Sequence, residues 1–309
     1  MSSQSHRGAP RALPMLAGPT ASGKSSIALT LAEEHGLELV SADAMQVYRG
    51  MDVGTAKPTR AERARVRHHV LDVVTPAESF SVAAYVEHAH AAIAAILERG
   101  SLPLVVGGTG FYLRALRDGL PTVPEADPAA QAPLWAAVER GRLADLIAEL
   151  ERSAPADAAR AGANPRRVVR SLEVLRRTGR PPSAYPYTAP RYSFDLLVLA
   201  PPPSTLVPRI TERAKAMFEA GLVAEVASLL REFPVQATAL QAIGYKEVVS
   251  HVTGESTLLE AVERVTNATL RYAKRQRTWF KAERGATLVE AAGAEAYPAV
   301  EAWLLSLIS

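Results

Sequence analysis

No cysteine occurs in the 309 residues. That excludes a disulfide framework, a zinc ribbon, an iron–sulfur cluster and a thiolate nucleophile. Aromatic residues are scarce, at 6%, so an extended base-stacking platform is not expected. Long apolar runs are missing as well. The most apolar helical stretch, Ser81 to Gly100, carries Glu87, His88, His90 and Glu98 and is too polar to span a membrane. The N-terminal basic residues precede an apolar run of only five, Leu13 to Ala17, too short for an export signal. The expected location is the cytoplasm, with no membrane partner. Net charge is only +3 and announces no polyanionic partner by itself. What is present is ordinary: 48% hydrophobic and 22% charged residues, a globular balance that excludes wholesale disorder.

Hydrophobic patterning predicts an α/β fold. Buried strands at Leu13–Ala17, Leu37–Ser41 and Leu102–Val106 alternate with helices at Ser22–His35 and Ser81–Arg99, each closed by a glycine. Near-continuous apolar strands between helices imply a parallel sheet covered on both faces. Residues 1–10 read as a loose tail. Prolines 121, 124, 128 and 133 open a stretch without strand signal, and prolines 181, 182, 186 and 190 close it. The expected organisation is a core of residues 11–122 and 194–309 with an all-helical insertion at 123–193. Its helices are expected near 128–140, 142–152, 155–161 and 165–178. The C-terminal third is again helical, with the longest helix near 256–283.

Residues Gly18, Pro19, Thr20, Ala21, Ser22, Gly23, Lys24 and Ser25 match the phosphate loop G-x-x-x-x-G-K-[ST] between a predicted strand and a predicted helix. Glycines let backbone N–H groups turn inward on phosphate oxygens, and the helix N-terminus adds partial positive charge. Lys24 neutralises phosphate, and the Ser25 hydroxyl is placed for Mg²⁺. The loop alone fits a P-loop NTPase-like core and a nucleotide-binding enzyme or small-molecule kinase. No strand ends in a Walker-B-type acid, however, and the next motif is unusual for a kinase. That motif places Asp43 just beyond a strand's carboxyl end, where open parallel sheets build sites. Taken alone, Asp43 reads as a helix cap, and Lys57 as a solvated surface lysine. His68 and His69 lack a third ligand and are not read as a metal site.

Five motifs occur in order: Gly18–Ser25, Ser41–Tyr48, Met51–Pro58, Val106–Tyr112 and Gln241–Lys246. Together they resemble the tRNA dimethylallyltransferase family from about residue 13 to 283. The resemblance implies transfer of a dimethylallyl group from dimethylallyl diphosphate to N6 of the adenine 3′-adjacent to the anticodon. It implies Asp43 as the base that takes the N6 proton, with Lys24 and Arg213 on the diphosphate. Thr109 is expected to contact the tRNA or bridge to the diphosphate. The implied tRNA contacts are Asp43, Ala44, Met45 and Gln46, then Arg166, Arg167 and Arg170, then Gln241, Gly244, Tyr245 and Lys246. Family members can carry a basic residue near Gln131, and the resemblance implies that glutamine leaves that tRNA contact weaker or absent. Some relatives bear a zinc-finger extension, which a chain without cysteine does not build. The implied partners are tRNA, dimethylallyl diphosphate and Mg²⁺, with the chain acting as a monomer.

The small net charge hides two clusters. Six arginines stand against one glutamate between residues 164 and 180, and six cations against one glutamate between 271 and 284, each net +5. Either run alone reads as a solvated helix face. Beside the motifs, both point to phosphate-backbone contact. Tyr245 fits either base stacking or packing. Trp135, Trp279 and Phe280 read as core. Two other activities fit part of the pattern: prenyl transfer to free adenylate, and phosphoryl transfer by a small-molecule kinase.

Overall fold

The computed structural model describes residues 12–308, so the expected N-terminal tail lies outside the described residues. Six parallel strands form one sheet in the order β3-β2-β4-β1-β5-β6. They are β1 (Leu13–Ala17), β2 (Leu37–Ala42), β3 (His68–His69), β4 (Leu102–Gly107), β5 (Phe194–Leu199) and β6 (Thr287–Val289). Alternate residues of each strand enter opposite layers. Leu16, Leu39, Leu104 and Leu197 pack beneath α1 (Lys24–His35) with Leu31, Val300 and Leu304. Met15, Val40, Val105 and Leu196 pack on the other face with Tyr85, Ile93, Val226 and Phe280. Two-sided burial explains why the central strands read as unbroken apolar runs.

Pro14 and Pro103 sit within central strands although neither donates an N–H. The β1–β4 ladder starts at Met15↔Val105, beyond both prolines, so their place at the strand starts spares it. The chain leaves β1 in one direction towards β2 and returns to its other side as β5. The carboxyl end of β1 is therefore the switch point of the sheet, where α/β folds place ligands.

In chain order the remaining helices are α2 (Arg60–Arg65), α3 (Val82–Glu98), α4 (Gly110–Asp118), α5 (Pro128–Glu139), α6 (Leu143–Ser153), α7 (Pro155–Ala161), α8 (Pro165–Thr178), α9 (Pro203–Glu219), α10 (Leu222–Glu232), α11 (Tyr245–Val252), α12 (Leu258–Lys281) and α13 (Tyr297–Ile308). The sequence pattern missed α2, the short edge strands β3 and β6, and α13. Two-residue and three-residue strands carry too few positions to show alternation.

Residues up to Arg117 and from Arg191 form one compact unit, and Asp118–Pro190 a second. The prolines placed the insertion at 123–193. The contacts bound it earlier at both ends, because Leu120 and Thr122 bond back to Thr188 and Pro186 inside the second unit. That unit holds α5 to α8 around its own core of Leu134, Leu150, Val168 and Leu172. Asp127 and Asn164 cap α5 and α8, each followed by a proline at the first helical position. Glu173 is fully buried on α8 and accepts from both Arg170 and Arg177. Gln131 and the Asp127 N–H reach the same carboxylate at 3.4 and 3.3 Å. Burial opposes its ionised form, and the hydrogen bonds from Arg177 and Arg170 overcome this to hold its pKa below the ordinary value.

Gly107 closes β4 against β2. A Cβ there would lie 2.1 Å from the Ala42 carbonyl oxygen, so only glycine lets the strand ends meet. Gly107→Ala is expected to destabilise the fold by about 1–3 kcal/mol, as overpacking does. Urea unfolding measures this, and an unchanged midpoint would show that β2 and β4 separate there without cost.

Candidate active site

The phosphate loop turns from β1 into α1 at the switch point. Gly18 allows the turn, since a Cβ there would stand 2.9 Å from the Leu199 carbonyl oxygen. Gly23 starts α1 at φ 88° with no side-chain cap, so the first N–H groups of the helix have no partner inside the helix. Two loop N–H groups are already committed: Ser22 to the Pro19 carbonyl, and Thr20 to the Gln276 side chain at 2.9 Å. The anion-binding capacity thus lies with Gly23, Lys24 and Ser25 rather than along the whole loop.

A cavity of about 560 Å³ opens beside this loop. Its wall includes Thr20, Lys24 and Ser25, then Asp43, Ala44, Met45 and Gln46, then Thr109, Arg213, Gly244 and Tyr245. These are predicted site residues from five separate segments. Lys24 donates only to the Pro19 carbonyl, at 3.3 Å. Arg213 has no hydrogen bond or ion pair among the described residues. Burial, then the neighbouring Arg213 charge, lowers the Lys24 pKa to about 8, although Asp43 partly offsets this. Two half-buried cations without an anionic partner make a site in need of one.

Asp43 follows β2 directly. Its Oδ1 accepts from Met45 N at 2.8 Å and from Gln46 N at 3.4 Å, the local turn that a capping reading anticipates. Its Oδ2 has no partner among the described residues and the carboxylate lines the cavity. The Thr109 hydroxyl accepts from Ala44 N at 3.0 Å, and Thr109 N donates to the Ala42 carbonyl, so the β4 loop fixes the β2 loop. Gln46 spends its amide inside the protein, on Ser41, Thr55 and Ala56.

Lys57 is buried rather than solvated. Its ammonium donates to Asp52 at 2.6 Å, Asp72 at 2.7 Å and the Tyr48 carbonyl at 2.7 Å. Arg63 completes the Asp72 pairing at 2.6 Å. Those bonds anchor a segment in which Val70 and Asp72 adopt φ of 62° and 54°, conformations that side-chain-bearing residues hold only when their surroundings enforce them.

Tyr245 is also buried. Its hydroxyl donates to Glu225 at 2.7 Å and its ring lies under Gly54, where a Cβ would come within 2.6 Å. In this structure the ring is packed inside the protein. Gln241 bonds the Val235 carbonyl, and Lys246 lies 3.7 Å from Glu247, both outside the cavity wall. Gly18, Pro19, Ala21, Ser22 and Gly23 support the loop from outside that wall. Arg166, Arg167 and Arg170 belong to the second unit. There Arg170 is tied to Glu173 and the Pro124 carbonyl, whereas Arg166 and Arg167 are exposed.

Three wall residues of α12, Thr269, Tyr272 and Gln276, were missed, as was Glu225 behind the wall. Glu225 gathers the N–H groups of Asp52, Val53 and Gly54 at 2.7–3.1 Å. Gln276 is buried, and with Val265 and the other α12 wall residues it follows helical spacing on one face. A polar residue in an otherwise apolar stripe was the available signal.

The IPP transferase family model matches residues 46–283. The chain is 55% identical over 294 residues to a tRNA dimethylallyltransferase of Thermus thermophilus, covering 95% of this chain and 97% of that protein. The chain belongs to the IPP transferase family, that of the tRNA dimethylallyltransferases. A tRNA dimethylallyltransferase of Deinococcus radiodurans is 47% identical over 289 residues, 92% of this chain and 94% of that protein. Among solved structures, the full-length tRNA isopentenylpyrophosphate transferase of Bacillus halodurans matches with TM-score 0.70 at 35% identity, covering 96% of this chain and 97% of that one. A eukaryotic dimethylallyltransferase acting on tRNA matches with TM-score 0.76 at 27% identity, covering 96% and 77%. The phosphate loop precedes the family-model match but lies in a stretch that the near-full-length relatives span.

The lowered Lys24 pKa sets a pH dependence for anion binding in this family member. Free Lys24 loses its proton as pH rises through about 8, whereas an adjacent diphosphate keeps it charged. Affinity for inorganic pyrophosphate measured by calorimetry is expected to exceed that of Lys24→Met below pH 8. The advantage should shrink by up to about tenfold per pH unit above it, since each pKa unit corresponds to one decade. An advantage constant from pH 7 to 9.5 would refute the assignment.

Proposed function

We propose that this chain transfers a dimethylallyl group from dimethylallyl diphosphate to the exocyclic N6 of the adenine 3′-adjacent to the anticodon in tRNA, releasing diphosphate. The observation that carries this reading is the pair of unpartnered cations, Lys24 and Arg213, sharing one cavity with the carboxylate of Asp43. The allylic C–O bond breaks and leaves its electron pair on the diphosphate. Lys24, Arg213 and the N–H groups at the start of α1 stabilise that developing charge. N6 forms the new N–C bond, and its proton passes to Asp43 Oδ2, the oxygen without a partner. Thr109 holds Ala44, and through it the Asp43 turn, at the cavity wall.

The adenine reaches the cavity by leaving its stack, because chemistry on a base edge needs the base extruded. Mg²⁺ supplies further neutralisation of the diphosphate when bound. The Ser25 hydroxyl is exposed, outside any hydrogen bond and on the cavity wall, which fits a hard oxygen donor. The anticodon stem-loop is held on its phosphates by Arg166 and Arg167.

Mass spectrometry of tRNA nucleosides after incubation with dimethylallyl diphosphate tests the activity. A preference for free adenylate over an anticodon stem-loop would overturn the choice of acceptor. Asp43→Asn keeps the turn-capping oxygen and removes the base. It is expected to lower transfer roughly 10²–10⁴-fold with tRNA affinity retained, and normal turnover would reject Asp43 as base. Arg166→Ala and Arg167→Ala are each expected to reduce the slope of log affinity against log salt by about 1. Arg170→Ala should instead lower stability by about 1–3 kcal/mol through the buried Glu173 it leaves under-bonded. Unchanged salt slopes in the first two variants would exclude phosphate contact there.

A further inference from the structure

The phosphate loop, the β4 loop and α12 meet at one buried amide. Gln276 Oε1 accepts from the Thr20 N–H at 2.9 Å, and its Nε2 donates to the Gly108 carbonyl at 2.8 Å. The two bonds use the amide at both ends, so it cannot turn over without losing each. The neighbouring glycine makes room for it: a Cβ on Gly108 would lie 2.6 Å from Gln276 Nε2, and the same point is 3.5 Å from Lys24 Nζ. From Gly108 the chain continues to Thr109, whose hydroxyl holds Ala44 beside Asp43. Covalent and hydrogen-bonded links therefore run from the anion-binding loop through Gln276 to the residue proposed as base.

We infer that Gln276 is a positioning residue, setting the distance between the loop that holds the diphosphate and the loops that present Thr109 and Asp43. The inference rests on the transfer reaction proposed above. Transfer in line requires the allylic carbon and N6 to be held near attack distance while their ligands sit on different loops. Helix α12 supplies the reference frame, since Gln276 is buried on the same helix face as Tyr272, itself beside Thr109. Both hydrogen bonds of the amide run to backbone, one to the phosphate loop and one to the β4 loop. What Gln276 controls is the spacing between those two loops.

Two variants separate positioning from bulk stability. Gln276→Met keeps length and removes both hydrogen bonds. It is expected to lower kcat about 10²-fold, the scale of an ångström misplacement, with KM for tRNA and dimethylallyl diphosphate within about threefold. Gln276→Glu keeps the acceptor for Thr20 and has a donor for Gly108 only when protonated. Its activity relative to the unaltered protein should therefore rise as pH falls from 8 to 5. Hydrogen exchange provides a readout independent of turnover: in Gln276→Met the segment 18–25 should exchange faster, with the sheet unchanged. A kcat within threefold for folded Gln276→Met, a Gln276→Glu ratio flat with pH, or unchanged exchange over 18–25 would each overturn the inference. Failure of the unaltered protein to prenylate an anticodon stem-loop would instead overturn the proposed reaction and leave the exchange result to decide the loop link.

Discussion

Half-buried positive charge without a counter-ion is the constraint around which the rest of the molecule is arranged. Lys24 and Arg213 stand at the carboxyl end of the central strand, and desolvation works against both of their charged forms. A fold tolerates that cost where a ligand relieves it. The parallel sheet makes the arrangement feasible, because its switch point leaves a crevice that helix α1 enters with its unpaired N–H groups. Asp43 lines the same cavity without an ion pair to either cation within 4 Å among the described residues, so an unpartnered carboxylate oxygen and two cations face one space.

Holding three motif loops still around that cavity falls to buried and half-buried polar side chains. Glu225 fixes the Asp52–Gly54 turn and the Tyr245 hydroxyl at once. Lys57 draws Asp52, Asp72 and the Tyr48 carbonyl together. Gln276 links the phosphate loop to the glycine-rich loop after β4. Each of these groups is satisfied at several atoms, which is the condition for a polar network to add rigidity rather than cost stability. The glycines serve the same end by removing bulk: Gly107 admits Ala42, Gly108 admits Gln276 and Gly110 admits Trp279.

Much of the fold was legible without coordinates. The strands β1, β2 and β4 and the helices of the second unit lie within a few residues of their predicted bounds, because apolar periodicity, proline and glycine act locally. Short elements such as β3 and β6 were not legible, having too few positions to set a period. At the site, Lys24, Ser25, Asp43, Thr109 and Arg213 all reach the cavity wall, as do Gln46 and Tyr245, whose polar groups are bonded within the protein; Arg170 is bonded to Glu173 in the second unit. A charged or aromatic side chain looks the same in sequence whether it faces solvent or a buried partner.

The division follows from the range of the forces involved. The residues alone determined the element types, the phosphate loop with its lysine and serine, and the acid that follows the second strand, since each depends on neighbours within a few positions. Only the tertiary structure decided which polar groups stay free and which are spent. Thr20, Gly108 and Gln276, or Asp52, Glu225 and Tyr245, are distant along the chain and come into hydrogen-bond contact only after the sheet and its helices have packed. Lys57 makes the point in a single residue: its motif gave no sign of burial, and three oxygens converging on its ammonium supplied the reason for it.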